Sequence, residues 1–191
     1  ADYNVVHVNA VLNVLAHHAR KERSAVQQLE SSPGLEHVVS VGQGLLETSR
    51  TDARLVTACL WSVAVLYDTL PVVRRLVPGL AARLPTVSAT MKPIDVGNVF
   101  WAIVTFGERE PGMQKHIPRL VDRAVETAPA MNRKDITNTL WALHELNIEG
   151  EGFIRSLQRL ADEVVREHST GREFAKLCWF LACKLKPNQV L

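Results

Sequence analysis

The sequence predicts an all-α protein, an α-solenoid of stacked two-helix repeats of about 40 residues. Three observations carry that prediction. Four tryptophans, Trp61, Trp101, Trp141 and Trp179, follow one another at intervals of 40, 40 and 38 residues, and a fixed period of this length marks a repeat array. Around them the text recurs as LVTACLWSVAVL, DVGNVFWAIVTF, DITNTLWALHEL and EFAKLCWFLACKL. Between them a second apolar stripe returns in the same register: Val73, Val77, Leu80 and Leu84, then Met113, Ile117, Leu120 and Ala124, then Phe153, Leu157, Leu160 and Val164. All of these spacings follow the helical period, and no strand pattern competes.

Residues 1–50 form an atypical N-terminal capping unit. VVHVNAVLNVLAHHA has helical spacing with Leu12 near the tryptophan position, the breaker SSPG follows, and GLEHVVSVGQGLL supplies a second helix. Terminal repeats are irregular because one of their faces closes the stack. Residues 51–191 then hold three to four helical hairpins continuous with that unit, one solenoid domain ending in the tail LKPNQVL.

Within each hairpin the tryptophan-bearing helix, called A, is expected near 52–67, 92–107, 132–147 and 170–185. Its apolar face is set by Val56, Val96, Ile136 and Phe174, by Leu60, Phe100, Leu140 and Cys178, and by Val63, Ile103, Leu143 and Leu181. Asp52, Asn132 and Thr170 are good N-caps, and Lys92 is followed by Pro93, which suits a first helical position. Thr170 with Glu173 reads as a capping box, and Asn132 with Asp135 as a looser one. The aligned acids at the helix starts are therefore caps before they are catalytic candidates. Mostly small residues surround each tryptophan (Thr57, Gly97, Thr137 and Ala175; Ser62, Ala102 and Ala142), so the A helix reads as the inner member of each pair, with its tryptophan as a packing residue. The B helices are expected near 72–85, 113–128 and 152–167, with Pro78 and Pro118 near their first turns.

Composition narrows the class further. Of 191 residues 47% are apolar and 22% charged, which is a composition that packs and not one that stays disordered. No run approaches eighteen apolar residues, so no membrane span is expected. The net charge of +2 announces no particular partner. Cys59, Cys178 and Cys183 lie in apolar runs and read as small core residues, not as a disulfide framework. The opening ADYNVVHVNAVL shows neither a signal nor a transit peptide. VGQG lacks the glycines of a phosphate loop, no Cys or His spacing matches zinc, and adjacent His17 and His18 point to different sides of a helix. His144, three residues after Trp141, reads as a packing residue. No catalytic activity, cofactor or metal is expected.

The segment NTLWALHEL, with GNVFWAIVTF and TACLWSVAVL, resembles the Asn-x-x-Trp-Ala-Leu core of octotricopeptide-type repeats, and is similar to the helical repeats found beside RAP domains in organelle proteins. The resemblance spans residues 51 to 185. Asn138, Trp141, Ala142 and Leu143 match best, followed by Asn98, Trp101 and Ala102; the asparagine is replaced by Ala58 in one unit and Lys176 in another. It implies paired helices stacked into a solenoid, association with RNA, and an organellar setting, the mitochondrion before the chloroplast.

Two surfaces follow as candidates for RNA. Opposite the apolar stripe of the B helices stand Arg75, Gly79 and Arg83, then Lys115, Arg119 and Arg123, then Arg155, Arg159 and Glu163, of which seven are basic. Stacked side by side they would make a ridge that follows phosphates, unless neighbours such as Asp122 and Asp162 neutralise it. Asn98 and Asn138 are the second candidate, since an amide reads a base edge through donor and acceptor together, or else ties one A helix to the backbone of the next. Two functions remain open: an organellar RNA-binding repeat protein supporting RNA metabolism or translation, bound to ribosomal RNA or a transcript, or a non-catalytic scaffold packing against protein subunits of a larger organellar complex.

Overall fold

The computed structural model describes residues 4–48 and 51–148. The expected helices at 152–167 and 170–185, with Trp179, Arg155 and Arg159, lie outside the described residues. Among the described residues every regular element is helical: α1 (Val5–Ala19), α2 (Arg23–Gln27), α3 (Pro33–Thr48), α4 (Ala53–Leu66), α5 (Val77–Val87), α6 (Pro93–Phe106), α7 (Pro111–Gln114), α8 (Ile117–Thr127) and α9 (Arg133–Glu145). Short 3-10 segments fill Pro71–Leu76, Ser88–Thr90, Gly107–Arg109 and Ala128–Ala130.

The starts of the A helices follow their caps. Asp52 accepts a hydrogen bond from the Leu55 amide at 2.8 Å, and Asn132 from that of Asp135 at 3.0 Å, with the Asp135 carboxylate returning to the Asn132 amide at 3.3 Å. Asp95 accepts from the Lys92 amide at 2.9 Å and, buried at 4% exposure, also from the Thr57 hydroxyl at 3.0 Å. A cap on α6 is thereby also a link to α4. At the N-terminus Asn4 and His7 form a capping box around α1.

The B segments begin later than their apolar stripes suggest. Regular helix starts at Val77 and Ile117, and Val73 and Met113 lie in separate short turns, Pro71–Leu76 and Pro111–Gln114. Pro78 and Pro118 each stand at the second position of α5 and α8, where the missing N–H and the ring's clash with the carbonyl four residues back prevent one continuous helix. Pro85 lies inside the last turns of α5.

Packing proceeds between sequence neighbours. Helix α1 lies on α4, α4 on α6 and α6 on α9, while α3 lies on the 71–76 segment and α5, and α8 meets the Ser88–Thr90 turn. Pairs α1 with α3, α4 with α5, and α6 with α8 join the two sets. Between them run equivalent core positions: Leu12, Leu60, Phe100 and Leu140; Val56, Val96 and Ile136; Val63, Ile103 and Leu143; and, from the B side, Leu80 and Leu120. The α3 helix approaches so closely at Gly42 that a Cβ there would meet Leu76 at 3.0 Å and Val8 at 3.1 Å. No helix among the described residues is long and apolar enough to cross a membrane.

Candidate nucleic-acid interface

The cations of the B segments do not form one free column. Arg75 donates to Gln43 at 3.1 and 2.8 Å and to Ser40 at 3.3 Å, and it also pairs with Glu36, all on α3. Arg83 donates from Nε to the Leu46 carbonyl at 2.7 Å. Arg123 donates to the Met91 carbonyl at 2.9 and 2.7 Å and to Glu126 at 2.7 Å. The two carbonyls lie at or just past the end of the preceding B segment, so Arg83 and Arg123 repeat one device: a guanidinium that satisfies backbone acceptors left over at a helix end. Lys115 and Arg119 are exposed and make no hydrogen bond or ion pair among the described residues. Asp122 does not pair with Arg119; the carboxylate that finds a partner here is Glu126, on Arg123.

The opposite face, on the A helices, is built differently. With Ile94 set at zero and about 100° per residue, Asn98, Trp101 and Thr105 fall within about 40° of it. The buried Val96, Val99, Phe100, Ala102, Ile103 and Phe106 take the other side of α6. Trp101 therefore lies at the middle of the open face, and its ring is half-buried, resting against the core. It is not enclosed between layers, as the small flanking residues suggested. Those small residues serve another contact, since Ser62, Ala102 and Ala142 are fully buried on the flanks of their helices. The same positions carry Arg54, Ala58, Trp61 and Val65 on α4, and Lys134, Asn138, Trp141 and Glu145 on α9.

Rings meet along this face. Trp61 and Trp101 stand 6.1 Å apart between centroids at 41°, and His17 of α1 stacks obliquely on Trp61 at 5.3 Å. The Arg20 guanidinium lies 5.9 Å from the Trp61 ring centre. Asn98 and Asn138 are half-buried beside the rings, and neither amide makes a hydrogen bond among the described residues. Among the described residues Asn98 makes no tie to a neighbouring backbone, and the A helix expected to follow α9, to which Asn138 would be tied, lies outside them. Ile94 and Val6 are 56% and 54% exposed on the same face. In the sequence His17 reads only as a histidine unable to chelate metal with His18, and Arg20 carries no signal, because α1 has no tryptophan to mark its register.

Two further clusters serve the fold. Tyr67 donates its hydroxyl to Glu110 at 2.8 Å, and the guanidinium carbons of Arg74 and Arg109 lie 4.6 Å from its ring. Burial, then the bond to Glu110, push the Tyr67 phenol above its ordinary range. Cys59 is buried, and desolvation pushes its thiol up to about 12.

The chain matches no family model, no curated protein and no solved structure. Its function is therefore argued from the two faces themselves.

Proposed function

We propose that the chain is a non-catalytic RNA-binding α-solenoid of two-helix repeats of about 40 residues, which holds single-stranded RNA across the open face of α1, α4, α6 and α9. The succession of neighbour-to-neighbour packings supports the solenoid reading. The observation that carries the RNA reading is the pair of amides, Asn98 and Asn138, set without hydrogen bonds among the described residues beside half-open indole rings. Unpaired bases are recognised by stacking on aromatic planes and by donor–acceptor pairs at their edges. Exposed Arg54 and Lys134 at the N-terminal ends of α4 and α9, with Arg20 capping the C-terminal end of α1, supply cations at the rim for the backbone. The organellar setting, the mitochondrion first, and ribosomal RNA or a transcript as ligand rest on the sequence resemblance alone.

A second reading has its own observation. Ile94 and Val6, more than half exposed on this same side, suit a scaffold whose aromatic face is covered by a protein subunit of a larger assembly. Titration with short single-stranded RNA separates the two. Replacing Trp101 by Leu should weaken binding by about 5- to 150-fold, the worth of about 1–3 kcal/mol per stacked base. Asn98→Ala with Asn138→Ala should weaken it too, with the melting temperature little changed because neither amide is hydrogen-bonded among the described residues. A parent chain without affinity for RNA at low salt would hand the face to the scaffold reading.

A further inference from the structure

Among the described residues, the two B-side cations that the fold leaves unspent, Lys115 and Arg119, stand at one place. A narrow cleft opens there between α5 and α8, lined by Leu84, Pro85 and Ser88 on one side and by His116, Arg119 and Leu120 on the other. His116 is the N-cap residue of α8, only 8% exposed, and its Nε2 has no hydrogen-bond partner among the described residues. A buried polar atom left unmade in this way costs about 1–3 kcal/mol, so its persistence asks for a group that completes it. We propose that this cleft is a phosphate-binding site, in which one phosphate oxygen accepts from His116 Nε2–H and the Arg119 guanidinium and Lys115 ammonium hold the others from the rim.

The surroundings favour an anion over any other polar group. The first turn of α8 contains no acidic residue, and the positive end of the helix dipole adds to the two free cations. On the α5 side the lining is Leu84, Pro85 and Ser88, which bring no titratable group. The cleft is too narrow for a base or a sugar, so it takes a single oxygen, while the remaining oxygens stay at the surface within reach of a forked guanidinium. Burial, and then Lys115, hold the imidazole below its ordinary pKa while the site is empty. An arriving anion acts in the opposite sense and draws a proton onto the ring. Protonation of His116 should therefore strengthen its hold on the anion. The source of the phosphate as an RNA backbone rests on the function proposed above; the site itself does not.

The test follows the His116 imidazole by NMR in the full chain during titration with inorganic phosphate. The expected result is a saturable shift of the His116 signal and a raised pKa, with Arg119→Gln weakening phosphate about tenfold and Lys21→Gln, on the turn after α1, leaving it unchanged. An unmoved His116 signal, or equal affinity in parent and Arg119→Gln, would overturn the site and leave an ordered water as the partner of Nε2. A short single-stranded RNA, titrated separately, identifies the source. RNA that binds and displaces phosphate at His116 makes the backbone the ligand. Phosphate that saturates in a chain without RNA affinity keeps the site and removes the RNA function, whereas RNA that binds with His116 undisturbed does the reverse.

Discussion

At the scale of single residues, the side chains with the most to lose are those that satisfy two partners at once. Asp95 accepts both from the backbone that opens α6 and from Thr57 on α4, inside the core. Asp95→Ala should cost about 2–3 kcal/mol in denaturant unfolding, since it removes a cap worth about 1 and leaves the buried Thr57 hydroxyl only the longer bond to the Arg54 carbonyl at 3.4 Å. Asn132→Ala, at an exposed cap, should cost only about 1 kcal/mol; equal losses for the two would deny Asp95 its second role. Cys59, with its thiol held near 12 inside the core, should stay unmodified when the native chain meets an alkylating reagent at pH 8, and peptide mapping would reveal any label. The sign for His116 runs the other way from a salt-bridged histidine. Its folded-state pKa is depressed, so the stability it allows is present above about 6.5 and is lost as pH falls through the lower folded value. Without phosphate, the parent should lose stability between pH 7 and 5 more steeply than His116→Gln.

At the scale of helices, the arginines of α5 and α8 divide by what they touch. Arg83→Gln and Arg123→Gln should each lower stability by about 1–3 kcal/mol, because a charged donor leaves a helix-end carbonyl unmet. Lys115→Gln should change the melt little. If all three melt alike, the stapling role fails. The A helices were legible to within a residue or two, α4 at 53–66 against 52–67 and α6 at 93–106 against 92–107. Their caps and their apolar period are both written locally in the chain. The destination of Arg75, Arg83 and Arg123 was not legible, since a helical wheel gives the direction of a side chain and not whether a carbonyl of the preceding unit lies within its reach. The tryptophans show the same limit. Their angle of about 135° from the main stripe was readable, but which side of the helix meets another layer depends on packing that lies about 40 residues away in sequence.

For the molecule as a whole, the two faces differ in the salt dependence they predict. A ridge of seven cations implies a slope of about −5 in log affinity against log salt, at about 0.7 per single-strand phosphate. The open A face, with Arg20, Arg54 and Lys134 at its rim, implies a slope nearer −2. RNA titrations at three salt concentrations distinguish these values, and a slope of −5 or steeper would return the binding surface to the B helices.

The long-range side-chain bonds share a direction that matters for how the chain is made. Thr57 with Asp95, Arg83 with Leu46, Arg123 with Met91 and Tyr67 with Glu110 join residues 38, 37, 32 and 43 apart. Each reaches back by about one unit and none by two. A hairpin leaving the ribosome therefore finds its template already folded behind it and waits for nothing still to be synthesised. With loop closures this short, assembly can proceed stepwise from the N-terminus, each new pair of helices setting its register on the one just completed.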